Sequence, residues 1–304
     1  MYFKAICMYQ LLSYRLYPLL FLLLMCVVSC TSMRGLPNIG SEDQLVFFDD
    51  FSGTKLDTAK WNVEVTGMHV NNELQAYIDS SATIYVAQGN TAQGAHNGAL
   101  VLQPHFAPNY LTKDGQQFHF VSGRINTNNK VMFCYGTASA RIKLTKGAGL
   151  WPAWWILGAG NWPETGEIDI MESVGENDWA SAAIHGPGYS GDAGLSNKYF
   201  FNKENEIDQW HIYSVDWTPD ALVFKYDGKP MFKITKPMTQ FFGKWAFDNQ
   251  KYLILNFAVG GIYPYKTNGL KLPYYGLADS TLRAIKAGKS KMLVDWVCIT
   301  QKKH

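Results

Sequence analysis

The chain has 304 residues, 47% hydrophobic and 17% charged, a balance that fills a large core and excludes a disordered or solvating polymer. Its formal charge is +2 and it holds no long Lys/Arg run, so it lacks the electrostatic footprint of a nucleic-acid binder or a polybasic membrane patch. Seventeen Tyr, seventeen Phe and ten Trp suit β-structure, and equally suit a site built from flat aromatic faces.

From the N-terminus, Lys4 and Arg15 precede an apolar run at residues 19–28 that is short for a membrane span, so residues 1–30 read as an export signal. The signal ends in Val27-Val28-Ser29-Cys30, which resembles the lipobox of bacterial lipoproteins. That likeness implies lipidation of Cys30 and a lipid anchor, with the protein in the bacterial cell envelope as an outer-membrane lipoprotein. Residues 31–44 are short, polar and Gly/Pro-containing, as expected of a flexible tether, and residues 45–304 make one domain, expected as a monomer. Cys7 and Cys26 leave with the signal, so Cys134 and Cys298 remain, expected as buried free thiols. No Cys/His cluster has zinc spacing, which argues against a zinc enzyme.

Strand-length apolar alternations recur at residues 99–103, 118–125, 138–144, 182–185, 212–217, 222–226, 231–235, 252–259 and 292–299. Asp227-Gly228 between two of them predicts a tight hairpin. No segment of a dozen residues shows a helical stripe, and Gly and Pro punctuate throughout. The pattern predicts an all-β sandwich.

Between these alternations, Glu167-Ile168-Asp169-Ile170-Met171-Glu172 puts three carboxylates into six positions, close to Trp151, Trp154, Trp155, Trp162 and Trp179. Side chains on a strand alternate faces, so regular pairing places Glu167 and Asp169 on one face and Glu172 on the other. A β-bulge at Ile170-Met171 adds one residue, restores the parity and turns Glu172 onto the first face. A helix would instead set the two glutamates about 140° apart. Two carboxyl groups about 5–5.5 Å apart hydrolyse a glycosidic bond with retention of configuration. In that scheme Glu167 is the nucleophile, Glu172 the general acid and then base, and Asp169 the group that orients Glu167. A solvated acidic face is disfavoured by the tryptophans, and a calcium loop by the interleaved Ile and Met.

Gly149-Leu150-Trp151-Pro152-Ala153-Trp154-Trp155, followed by Gly166 and the acidic segment, resembles glycoside hydrolase family 16. Asn71-Asn72-Glu73-Leu74-Gln75, Ser122-Gly123-Arg124-Ile125, His185-Gly186-Pro187-Gly188-Tyr189-Ser190-Gly191 and Leu255-Asn256-Phe257-Ala258-Val259-Gly260-Gly261 are most similar to its laminarinase branch, the endo-β-1,3-glucanases. The resemblance implies a β-jelly-roll sandwich of two curved antiparallel sheets, with a substrate cleft on the concave face. It implies retaining endo-cleavage of β-1,3 or mixed β-1,3/1,4 glucan, with no cofactor required for catalysis. By the same likeness Trp151, Trp155 and Trp162 face sugar rings while Trp154 belongs to the core. His185 sits near the acid/base residue, and Asn72, Arg124 and Asn256 hydrogen-bond sugar hydroxyls, with a structural ion pair as the other reading of Arg124. Asp50 and Asp295 resemble a structural calcium site far from the cleft.

Two departures stand out. Ser139 precedes Ala140-Arg141 where the branch usually has an acid, and residues 262–269 replace its Asn-Trp-Pro-Gly with a longer aromatic loop expected to reshape one end of the cleft. The rival readings are a hydrolase of agar- or carrageenan-type galactans, and a non-catalytic glucan-binding protein. The near-neutral charge disfavours a sulfated substrate, and the three retained acids disfavour a mere binder.

Overall fold

A computed structural model describes Pro37 and residues 39–303; the export signal, Cys30 and the start of the tether lie outside the described residues. In chain order the strands are β1 (Asp43–Asp49), β2 (Asn62–Val63), β3 (Gln75–Tyr77), β4 (Ile84–Ala87), β5 (Ala99–Leu102) and β6 (His105–Leu111). They continue as β7 (Gln117–Ser122), β8 (Arg124–Asn126), β9 (Gly136–Leu144), β10 (Leu150–Gly158), β11 (Glu167–Glu172) and β12 (Trp179–His185). The last six are β13 (Leu195–Phe200), β14 (His211–Trp217), β15 (Ala221–Tyr226), β16 (Lys229–Thr235), β17 (Lys251–Val259) and β18 (Met292–Lys302). Strand β1 takes up Asp43 and Gln44, so the expected tether ends before residue 43.

The strands form a jelly-roll sandwich. One sheet runs β16-β15-β14-β9-β18-β5-β4 with β1 also on β18; the other runs β13-β12-β11-β10-β17-β8-β2. A small third sheet, β3-β7-β6, extends the assembly. Period-two alternation explains the stacking: Ala138, Ala140, Ile142 and Leu144 of β9 and Leu222, Phe224 and Tyr226 of β15 turn inward. They share one core with Trp154 and Ile156 of β10, Ile168, Ile170 and Met171 of β11, and Leu253, Leu255 and Phe257 of β17. Trp154 is thus a core residue, as expected.

Every strand expected from the alternation is present. The stretch 118–125 divides at Gly123 into β7 and β8, which join different sheets; a Cβ at Gly123 would lie 2.8 Å from the Thr83 carbonyl oxygen, so the chain must pass there without a side chain. Asp227 and Gly228 both have positive φ (50° and 75°), as a type I′ hairpin requires. Cys134 and Cys298 are free, Cys298 buried and Cys134 half-buried.

Residues 262–269 correct one expectation: they are not an open loop but a helix, Ile262–Asn268, closed by Gly269 in the left-handed conformation with its N–H bonded to the Tyr265 carbonyl. Pro264 fits because a first-turn residue has no intrahelical N–H bond to lose. A second helix, Asp279–Lys286, buries Leu282 and Ile285 and ends in Arg283 and Lys286. Both helices are shorter than the span needed for a recognisable apolar stripe.

The bulge is where parity demanded it. Against β10, Trp154 faces Met171 and Trp155 faces Asp169, so Ile170 is the inserted residue; against β12, Asp169 faces Ala183 and Glu172 faces Ser181. Ile170 and Met171 both enter the core. The hydroxyl of Tyr226, reaching across from the opposite sheet, lies 2.7 Å from the Ser181 carbonyl oxygen and 3.1 Å from that of Ile170. It donates its single proton to one or the other, in a place no water reaches.

Tyr226→Phe strips these buried carbonyls of their donor and should cost about 1–3 kcal/mol. The urea midpoint should fall with an unchanged slope, and turnover should fall as Glu172 loses its fixed side. An unchanged midpoint and turnover would show that the bulge holds without the hydroxyl.

Candidate active site

Five strands of the β13-to-β2 sheet carry the site on the face turned away from the core. On β11, Glu167 lies between Leu157 and His185, Asp169 between Trp155 and Ala183, and Glu172 between Ala153 and Ser181. The bulge brings all three carboxyl groups to one face, with Asp169 buried and the glutamates half-buried. Each glutamate accepts from its own indole: Trp162 Nε1 donates to Glu167 Oε2 at 2.8 Å, and Trp151 Nε1 donates to Glu172 Oε1 at 2.9 Å. Such bonds fix the carboxylates and leave the indole faces for a ligand ring.

The neighbouring strands continue the wall. Trp155 Nε1 donates to Asn256 Oδ1 at 2.7 Å, and Asn256 Nδ2 donates to the Tyr77 hydroxyl at 2.9 Å. Arg124 stands over the Trp155 ring (5.0 Å) and the Tyr77 ring (5.8 Å) while its Nε lies 2.9 Å from Glu64 Oε2. The two readings of Arg124 are therefore one arrangement, in which an ion pair holds a guanidinium in the cleft wall. Asn72 is exposed at the rim with φ 57°, on a turn whose groove is also lined by His69, Glu73, Gln117 and Tyr275. His185 places Nε2 3.3 Å from Asp169 Oδ2 and its ring 6.2 Å from that of Trp162.

Burial dominates the electrostatics. Desolvation, reinforced by the Asp169 charge and relieved by His185 and the Trp162 donor, pushes Glu167 up to about 8. Desolvation likewise pushes Glu172 up to about 7, opposed by the Trp151 donor and His185. Asp169, the most enclosed of the three, is raised well above the usual carboxylate range by burial and by Glu172. Three adjoining acids with little water cannot all ionise, so the group keeps protons at neutral pH.

Four contributors went unread in the sequence. Tyr263, from the helix Ile262–Asn268, packs edge-on against Trp151 at 5.6 Å and sets its hydroxyl 3.0 Å from Ser181 Oγ. Burial first, then Glu172, raises the Tyr263 phenol to about 12. Glu73 accepts from Gln75 Nε2 at 2.8 Å, is raised by burial, and adds to the negative field at Glu172. The aromatic departure at residues 262–269 was the available signal for Tyr263, and the Asn71–Gln75 motif for Glu73; Tyr77 and Ser181 carried none.

Asp50 and Asp295 do not offer a calcium ion free ligands. Asp295 is fully buried and its carboxylate is held by Arg141 Nη1 and His96 Nδ1, each at 2.6 Å, and by the His96 N–H at 2.7 Å. Asp50 accepts from Asn97 Nδ2 at 2.7 Å and from the Ser52 N–H. A guanidinium bonded to the carboxylate suits charge pairing rather than a hard cation that takes six to eight oxygens. Among the described residues, the one group of His, Cys and acids with ligand-like spacing is Glu167, Asp169 and His185, within the acidic site itself.

Comparison with known proteins gives the family. The family model of the glycosyl hydrolases family 16 matches residues 58–269. A glucan endo-1,3-β-glucosidase A1 of Niallia circulans is 34% identical over 241 residues, covering 71% of this chain but only 34% of that protein. A β-glucanase of Rhodothermus marinus is 31% identical, covering 72% of this chain and 77% of its own. The X-ray structure of an endo-β-1,3-glucanase from Pyrococcus furiosus superposes with a TM-score of 0.73 at 29% identity, covering 88% of this chain and 98% of that one. With that model matching most of its length, the chain belongs to the glycosyl hydrolases family 16.

Proposed function

We propose that the protein is a retaining endo-glycosidase that cleaves β-1,3 bonds in glucans, including mixed β-1,3/1,4 chains. The observation that carries this reading is the Glu167/Glu172 pair on one face of bulged β11, each carboxyl group held by a tryptophan indole. The named activities of the Niallia, Rhodothermus and Pyrococcus proteins support β-glucan as the substrate. The walls formed by Trp151, Trp155 and Trp162 suit the C–H faces of a neutral sugar chain.

Glu172 protonates the departing glycosidic oxygen while Glu167 attacks the anomeric carbon, giving a glycosyl ester and a free sugar end. The ester has no charge to repel Glu172, which now takes a proton from water as the water oxygen attacks the anomeric carbon. That step releases Glu167 as a carboxylate and returns the proton to Glu172. In the free site Glu167 holds its proton at least as tightly as Glu172, so the reactive form is one of the partly protonated states. Positive charge growing on the sugar ring favours the state with Glu167 ionised. Asp169, beside Glu167 on the same face, shares a hydrogen bond with it and holds its orientation.

The sequence of residues 1–30 supports export, with lipidation at Cys30 and a tether that carries a monomeric domain in the cell envelope. Among the described residues no helix is long and apolar enough to cross a membrane.

Three outcomes follow. Glu167→Gln and Glu172→Gln should each lower turnover of laminarin by roughly 10²–10⁴-fold with the fold retained, and proton NMR should show β-anomers released first by the parent; full activity or an initial α-product refutes the mechanism. The kcat/KM profile should peak near neutrality. Below about 7 both glutamates hold protons, and above about 8 neither does, so the singly protonated pair is most populated between. A maximum below pH 5 would contradict the raised acids. Finally, Cys30→Ala should abolish labelling by radioactive palmitate and release the protein from the membrane fraction; retention of both would exclude the anchor.

A further inference from the structure

Lys251, the first residue of β17, is fully buried beneath the nucleophile's end of the site. Its Nζ donates to Asn249 Oδ1 at 2.9 Å, to the Ala246 carbonyl at 3.0 Å, to the Gly166 carbonyl at 3.3 Å and to the Thr165 carbonyl. The rings of Phe247 and Trp217 close over it at 5.4 and 5.9 Å. In its charged form three ammonium protons serve four neutral oxygens, no salt bridge to an acid holds it among the described residues, and burial pushes its titration down to about 7. A buried cation without a bonded anion is costly and is retained only where its donors are needed.

What it grips is specific. Thr165 and Gly166 end the turn that joins β10 to β11, and Glu167 is the next residue. Gly166 has φ 72°, and a Cβ there would lie 2.4 Å from the Ala246 carbonyl oxygen, so the turn is pressed against the 246–249 segment with Lys251 between them. The same turn carries Trp162, whose indole bonds Glu167, and its own bonds are Thr165 N–H to Asn161 O, Gly166 N–H to Pro163 O, Gly158 N–H to Gly166 O and the Thr165 hydroxyl to Gly158 O or Asn161 O.

We infer that Lys251 is a positioning residue for the nucleophile: its ammonium clamps the Thr165 and Gly166 carbonyls and so fixes the turn that presents Trp162 to Glu167. The inference rests on the reading of Glu167 as nucleophile. The ionisable groups that face Glu167 are Asp169 and Glu172 on β11, His185 on β12 and Tyr252 on β17; those facing Lys251 are Asp248 and Cys134. Trp162 donation favours ionised Glu167, so a loosened turn raises the Glu167 titration.

The test is Lys251→Met, which keeps the apolar stem and removes the donors. Turnover of laminarin should fall about tenfold or more, chiefly in kcat, as the carboxylate leaves its productive position. The Glu167 side-chain carboxyl, followed by carbon-13 NMR, should titrate at higher pH than in the parent. Trp162→Phe should give a similar upward shift, and the double variant no further one. A Glu167 titration unmoved in Lys251→Met, or shifts that add in the double variant, overturns the inference, because a purely structural lysine alters stability alone. Asn249→Leu removes one oxygen of the clamp and gives the same readout with smaller amplitude should Lys251→Met not fold. A parent inactive on every β-glucan would count against the proposed function and not against Lys251, because the titration needs no substrate.

Discussion

One inserted residue governs the site. Without Ile170 as a bulge, Glu172 would point into the core and Met171 into the cleft, and the two glutamates would lie on opposite faces of the sheet. The insertion disturbs the ladder where β11 meets both β10 and β12, leaving the carbonyls of Ile170 and Ser181 to find a donor elsewhere. Tyr226 supplies it from the opposite sheet, through the core. The catalytic face and the far sheet are therefore joined by a hydroxyl as well as by packing, and Tyr226 is fixed in turn by edge contacts with Tyr199 and Tyr213.

The electrostatic arrangement acts against the stability of the folded state. Glu167, Asp169 and Glu172 bind protons more tightly when folded than when unfolded. As pH rises through the interval between ordinary carboxylate values and the raised ones, the unfolded chain releases protons that the folded chain retains, so stability falls. A site of this kind needs a scaffold with stability in reserve. The single core, shared by both large sheets and filled with Trp154, Phe224, Phe257 and their neighbours, provides it.

The sequence revealed what depended on local periodicity. Strands with one face in the core, such as β9 and β15, alternate cleanly, and the parity conflict within residues 167–172 located the bulge to the pair Ile170-Met171. Edge strand β13, Leu195–Phe200, was missed because its outward faces are polar, with three exposed residues in a row. The helices at residues 262–268 and 279–286 were too short to carry a period. Tyr77 and Ser181 were invisible for a different reason, since their roles arise from strand neighbours distant in sequence. Asp50 and Asp295 entered as a likeness to a structural calcium site, and the partners that hold the Asp295 carboxylate, Arg141 and His96, come from more than 150 positions away, where no local pattern announces them.

The two ends of β11 are held by unlike means, and this divides the tasks of its glutamates. Glu172 is fixed by the bulge, by Trp151 from the adjacent strand and by the Tyr263–Ser181 bond behind it, all parts of regular structure. In the proposed mechanism these fixed partners suit a group that both gives and takes a proton at one oxygen. Glu167 follows a turn, and its indole partner rides on that turn with nearly half of its surface exposed. In the proposed mechanism Glu167 approaches and leaves the anomeric carbon, and the inferred Lys251 clamp sets the turn from which it does so. In the proposed mechanism the separation of the carboxyl groups is thus set on one side by the sheet and on the other by the turn that Lys251 is inferred to clamp, so retention depends on the turn as much as on the acids.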